Sequence, residues 1–143
     1  MKLFLDTEFN GFDGKLMSMA LVPEHEHDCL DNFYCELEIT DQLHSWVREN
    51  VVPHMILVPS TRLEFQSKLS AYLLQFQEIT IVADWPDDIG YFCESLITGP
   101  GERISMPSRI KFELDLDIKY ESRVPHNALH DAIGIREYYR KTK

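Results

Sequence analysis

The first nine residues, MKLFLDTEF, set a condition that any fold of this chain must meet. Residues 2–9 alternate as a strand does, with Leu3, Leu5, Thr7 and Phe9 on one face. Side chains two apart in a strand point the same way, so Asp6 and Glu8 share the other face. Like charges that close repel each other, and partial burial makes both ionised forms costlier. Two arrangements accommodate the pair: a sheet with one solvated face, or oxygen ligands with a divalent cation between them.

The residues after this strand narrow the architecture. Asn10-Gly11-Phe12-Asp13-Gly14 is rich in turn residues and suits a hairpin into a second strand over 16–23, with a third over 32–38. Thr40 is placed to cap a helix carrying Leu43, Trp46, Val47 and Asn50, which ends before Pro53. Thr61 and Glu64 have the spacing of a capping box, and Phe65, Leu69, Tyr72, Leu73 and Phe76 then fall on one helical face. EITIVAD reads as a short β-branched strand, followed by a helix from about Asp87 with Ile89, Phe92, Cys93, Leu96 and Ile97 on one side. TGPGERISMPS reads as a loop, RIKFELDLDI as a strand, and 127–140 as a helix with Ala128, Leu129, Ala132, Ile133 and Tyr139 towards the core. A meander followed by alternating helices and strands predicts an α/β fold. Its mixed sheet combines a three-stranded antiparallel part with parallel strands and carries helices on both faces.

Length and composition bound the rest. A chain of 143 residues forms one domain with a single core, and no repeat or linker divides it. No apolar run has the length of a membrane span, and the first residues lack the pattern of a signal peptide, so a cytoplasmic location is expected. The three cysteines (Cys29, Cys35 and Cys93) are odd in number and form no C-x-x-C, which fits reduced structural thiols. A net charge of −10 argues against wrapping a long duplex by phosphate neutralisation. It leaves open a nucleic acid held at a cation-filled site, where bound metal reverses the local charge.

Two further segments carry candidate chemistry. VADWPDDIGYF places acids at the end of a buried strand and in the first turn of the next helix, where the helix dipole also welcomes them. HNALHDA sets His126 five residues before Asp131 at a helix start. Ends of central strands and starts of the subsequent helices converge in α/β sheets, which is where ligands bind. The tetrad His25-Glu26-His27-Asp28 contains ligand types but reads as a charged loop with no further spaced partner. His130 is expected to face solvent.

The ordered set Asp6 and Glu8 in FLDTEF, Asp88 in DDIGYF, and His126 with Asp131 in HNALHDA resembles the DEDDh exonucleases of the ribonuclease-H-like superfamily. The segment SWVRENVVP resembles a small bacterial branch of 3′-5′ exoribonuclease-like proteins within it. The resemblance runs along nearly the whole chain and implies a ribonuclease-H-like sheet. It also implies two Mg²⁺ or Mn²⁺ ions about 4 Å apart that clamp the scissile phosphate. By the resemblance Asp6 bridges both ions, Glu8 and Asp131 complete the first, and Asp88 supports the second. His126 would be the general base, since an imidazole titrates near neutral pH. Asp88 is preferred over Asp84 and Asp87 because the family's aspartate at this point precedes an apolar-Gly-aromatic triplet, here Ile89-Gly90-Tyr91. Asp87 is read as capping the helix from the solvent side and Asp84 as supporting the site from behind.

The function so implied is a metal-dependent 3′-5′ exonuclease acting on single-stranded RNA ends or short oligoribonucleotides. Phe9 and Trp85 are candidate substrate contacts, Trp85 as a stacking surface for a base. Two other readings stand beside it: a non-catalytic module binding RNA or protein on the same fold, and a hydrolase of small nucleotide phosphodiesters. Members of the family often form homodimers, but no segment here demonstrates one.

Overall fold

The computed structural model describes residues 1–26 and 30–143. The first hairpin forms as its turn residues require. β1 (Lys2–Phe9) pairs antiparallel with β2 (Leu16–Pro23), which pairs antiparallel with β3 (Phe33–Glu36). At the β1–β2 turn Gly14 is obligatory, because an added Cβ would lie 1.9 Å from the Asn10 carbonyl oxygen. β1 also pairs in parallel with β4 (Glu78–Ala83), and β4 pairs in parallel with β7 (Arg109–Leu114). The outcome is a mixed five-stranded sheet in the order β3-β2-β1-β4-β7.

Helices cover both faces. Leu3 and Leu5 of β1 meet Phe65 and Leu69 of α2 (Arg62–Leu73) and Phe92 of α3 (Pro86–Ser95). On the other face Phe4 and Val82 meet Ala128, Ala132 and Ile135 of α4 (Ala128–Thr142). Each fully buried Phe or Leu in these layers stabilises the fold by about 1.5–3 kcal/mol. The short α1 (Ser45–Asn50) and a 3-10 turn after it (Val52–His54) pack Val47 and Val51 on Met17. No helix among the described residues is long and apolar enough to cross a membrane.

Several local expectations need correction. Thr40 does not cap α1, which starts at Ser45 after an N-cap position held by His44. The reason lies outside the helix. The Asn10 amide donates to the Gln42 carbonyl at 3.0 Å and accepts from His44 N–H at 2.8 Å, which keeps this approach segment out of the helix. Trp46 is not a core residue of α1 but is 50% exposed. Thr61 does cap α2, its hydroxyl accepting from Glu64 N–H at 3.2 Å. Ile97 leaves the apolar face of α3, because the helix ends at Ser95 and 97–99 turns into a small hairpin. That hairpin pairs β5 (Ile97–Gly99) with β6 (Glu102–Arg103) inside the segment expected to be loop. In α4, Ile135 is buried in the core, while Leu129 and Ile133 pack at its margin. Cys35 and Cys93 are free thiols, whereas Cys29 and half of the 25–28 tetrad (His27 and Asp28) lie outside the described residues.

One close approach connects the core to the segment leading into α4. A Cβ on Gly134 would lie 2.6 Å from the Tyr120 ring and 2.9 Å from the Glu121 carbonyl oxygen. Gly134→Ala is therefore expected to destabilise the protein by about 1–3 kcal/mol, the usual cost of overpacking. Chemical denaturation measures it, and an unchanged midpoint would mean that 120–121 moves aside freely.

Candidate functional site: a row of carboxylates

The parallel pairing of β1 with β4 sets Phe4 opposite Val82, and the same offset carried two residues further brings Asp84 level with Asp6. Both then point to the α4 side of the sheet, the side of Phe4 and Val82. α4 begins there, and its first turn supplies Asp131. α3 begins where β4 ends and supplies Asp88. A register shift between Glu8 and Phe9 turns the end of β1 as it leaves the sheet, an irregularity that re-aims side chains beside a site.

These placements converge. One oxygen from each of Asp6, Glu8 and Asp131 lies within 4.8 Å of the other two, and the same holds for Asp6, Asp84 and Asp88. Asp6 belongs to both groups. Of the residues singled out from sequence, Asp6, Glu8, Asp88 and Asp131 are therefore brought together, and Asp84 joins them as a full member. Its position at the end of a parallel strand was the signal for it.

The acids are held by specific contacts. Asp88 Oδ1 accepts from the Thr7 hydroxyl at 2.5 Å and from Thr7 N–H at 3.2 Å. Asp131 Oδ2 accepts from His126 N–H at 3.1 Å. Asp6 is 7% exposed, and its Oδ2 and the Oδ1 of Asp131 are buried without a hydrogen-bond partner. An unpaired buried carboxylate oxygen is costly, and native structures rarely keep one without a proton, water or ion to meet it.

Electrostatics give the same picture. Burial, then the charges of Asp88, Glu8, Asp131 and Asp84, hold the Asp6 carboxyl well above the usual carboxylate range. Burial with Asp131 and Asp88 pushes Glu8 up to about 8. Burial raises Asp88 to about 7 against the opposing hydrogen bond from Thr7. Asp84 and Asp131 are raised too, chiefly by burial. The Tyr120 phenol, half-buried beside this row, is raised by burial and by four of the same carboxylates, and no sequence pattern marked it.

The remaining candidates divide. His126 is at the row, with its backbone in the left-handed region at φ +66°, a strained conformation that surrounding contacts must hold. Its ring stands edge-to-face with Trp46, centroids 5.0 Å apart. His130 donates its backbone N–H to the Asn127 side chain that caps α4. Asp87 does not cap α3, which begins at Pro86 after an N-cap position held by Trp85; it lies exposed in the first turn and accepts from the Trp85 indole N–H at 3.2 Å. Phe9 stacks on Tyr91 at 4.7 Å, and Trp85 is 58% exposed.

Hard divalent cations take oxygen ligands, and a carboxylate shared by two groups is a donor set suited to a pair of them. The two orphaned oxygens fit that chemistry. Compared with known protein families, curated proteins and solved structures, the chain matches none.

The crowding makes stability depend on pH with a definite sign. Glu8 and Asp88 titrate near 8 and 7 when folded, against 4.5 and 3.8 for the free groups. Between those limits the folded state holds more protons than the unfolded one, so stability falls as pH rises. In EDTA the melting temperature is expected to drop from pH 5 to pH 8, and Asp6→Asn should reduce that drop. A melting temperature rising across the same interval would contradict the crowding.

Proposed function

We infer that the protein is a metal-dependent 3′-5′ exonuclease of the DEDDh type on a ribonuclease-H-like sheet, with RNA ends or short oligoribonucleotides as substrate. The observation that carries this reading is the pair of carboxylate groups sharing Asp6, with a buried, unpartnered oxygen on Asp6 and another on Asp131. Asp6, Glu8 and Asp131 would hold one Mg²⁺ or Mn²⁺, and Asp6, Asp84 and Asp88 the second. Such ions supply the positive charge that offsets the charge developing on a phosphate under attack.

The chain's own residues do the rest. Thr7 fixes the Asp88 carboxylate with two hydrogen bonds, so the group stands beside Asp6 with little freedom. Asp131 takes the His126 N–H, which ties the imidazole-bearing residue to one end of the row. From there the imidazole would serve as the general base that takes the proton of the attacking water. A binding module without catalysis would have no use for five crowded acids with raised pKa values, since they oppose both folding and phosphate binding.

Purified protein with Mn²⁺ and 5′-labelled RNA, single-stranded DNA and dinucleotides tests the reading. A ladder shortening from the 3′ end is expected, while cleavage of the dinucleotide alone would favour a hydrolase of small phosphodiesters. Asp6→Asn should abolish hydrolysis. His126→Ala should lower kcat by roughly 10²–10⁴-fold, with His130→Ala near the parent. Asp84→Asn and Asp88→Asn should each lose activity that excess Mn²⁺ restores only in part, whereas Asp87→Ala keeps it. Near-parental turnover by Asp6→Asn would overturn the two-ion reading.

A further inference from the structure

The two edges of the sheet are finished differently. At β3 the chain comes back alongside: Ser60 N–H donates to the Glu36 carbonyl at 2.8 Å, and Glu38 N–H donates to the Ser60 carbonyl at 2.9 Å. At the other edge β7 pairs with β4 alone among the described residues. One bond shows which backbone groups of β7 are engaged, for Asp115 donates its N–H to the Ala83 carbonyl at 3.0 Å. Successive residues of a strand turn their backbone groups to opposite sides. Arg109, Lys111 and Glu113 therefore also face β4, while Ile110, Phe112 and Leu114 turn their N–H and C=O groups outward. The side chains divide in the same rhythm. Glu113 is level with Val82, which puts the charges on the α4 face, and Phe112 is level with Ile81, which puts the apolar residues on the face of α2 and α3. Phe112 meets Phe92 with ring centroids 6.1 Å apart, yet it stays 45% exposed and Leu114 44%.

We propose that a second copy of this chain covers this edge, its β7 running antiparallel to the first across a twofold axis at Phe112. The order of charges selects that register. With the axis at Phe112, Lys111 faces the partner's Glu113, Arg109 faces the partner's Asp115, and Ile110 faces the partner's Leu114. An axis at Lys111 or Glu113 would set a charge against its own copy. An axis at Ile110 or Leu114 would set Arg109 against Lys111, or Glu113 against Asp115. The outward groups of Ile110, Phe112 and Leu114 would then close about six backbone hydrogen bonds, and the half-exposed Phe112 would meet its own copy. Charged residues on an edge strand ordinarily keep edges apart. A guard of one sign repels in every register, whereas this one repels in the neighbouring registers and attracts in one. Within the chain Glu78 meets both Arg109 at 3.3 Å and Lys111 at 2.6 Å, Lys2 meets Glu113 at 2.9 Å, and Lys143 meets Asp115 at 3.2 Å. Exposed pairs of this kind are worth little and can take a further partner. No acid of the carboxylate row is among the pairing residues, so the dimer stands apart from the exonuclease reading.

A pairing that runs only from Arg109 to Asp115 is a small interface, so the dimer should depend on concentration. Analytical ultracentrifugation of the full chain across roughly 1–100 µM is expected to show the mass rising towards twice that of the chain. Lys111→Glu and Glu113→Lys each set like charges face to face on both sides of the axis. Either change alone should raise the dissociation constant by roughly tenfold. Mixed in equal amounts, the two variants should associate with each other about as well as the parent does with itself, since each supplies the sign the other lacks. That recovery separates pairing from folding. Each variant also loses a contact inside its own chain, with Glu78 or Lys2, and mixing cannot restore it. A parent that stays monomeric across the range would overturn the proposal. So would single variants that dimerise like the parent, or a mixture that associates no better than its components.

Discussion

The parallel pairing of β1 with β4 does two jobs at once. Through Leu3 opposite Ile81 and Phe4 opposite Val82 it joins the meander to the rest of the sheet and supplies the centre of both core layers. Through the same register it brings the C-terminal ends of the two strands side by side. Most acids of the site are then placed by those ends: Glu8 by the next turn of the pleat, Asp84 by the exit of β4, Asp88 by the helix that starts there. Parallel strands put their carboxyl ends together by definition, and helices that succeed them begin with free N–H groups pointing into the same region. Asp131 arrives independently, from the helix packed across Phe4 and Val82.

Crowding five carboxylates at that point opposes folding. Each would be more stable alone in water, and burial together with neighbouring carboxylates pushes Glu8 and Asp88 up for that reason. The protein offsets it with core packing rather than with neutralising side chains. Arg136, nearly buried, is committed elsewhere, to Glu26 at 2.7 Å and Glu137 at 3.0 Å. The edge strand β7 is tied by Arg109 and Lys111 to Glu78, also away from the acids. Among the described residues the acids thus lack Lys or Arg partners while such cations pair at other surfaces, and stability given up locally is common at functional sites.

How much of this could be read in the sequence depended on how local its cause was. β1 and β2 end where alternation and turn residues put them, and the apolar face of α2 follows its period from Phe65 to Leu73. Four of the acids that meet were already distinguished, because a D-x-E in a strand and an acid at a helix start arise from short-range geometry. Misreadings arose where a distant side chain decided. Thr40 has the chemistry of a cap, yet Asn10, far earlier in the chain, holds the approach to α1 extended. Trp46 has the spacing of a core residue, but Met17 is already covered by Val47 and Val51. Asp84 looked secondary because its role depends on the register with β1, which a single strand does not encode. Tyr120 and its fit over Gly134 leave no periodic trace at all.

Two asparagines show how the less regular half of the site is held. Asn10 binds both sides of the segment before α1, which carries Trp46. Asn127 caps α4 through His130 N–H and spends its amide on the Tyr34 hydroxyl at 3.1 Å and the His54 carbonyl at 2.9 Å. The first fixes where the helix that carries Trp46 begins. The second ties β3, the 3-10 turn and the start of α4 together immediately beside His126, whose left-handed backbone needs such support. Side-chain amides bonded to loop backbone replace here what strands and helices do elsewhere, since loops have no ladder of their own to satisfy their polar groups. The acids are thus positioned by secondary structure, while the imidazole and the indole beside them are positioned by amides. That division sets where precision would be lost first. A change at Asn10 or Asn127 should leave the carboxylate row intact and disturb only the imidazole and the indole beside it.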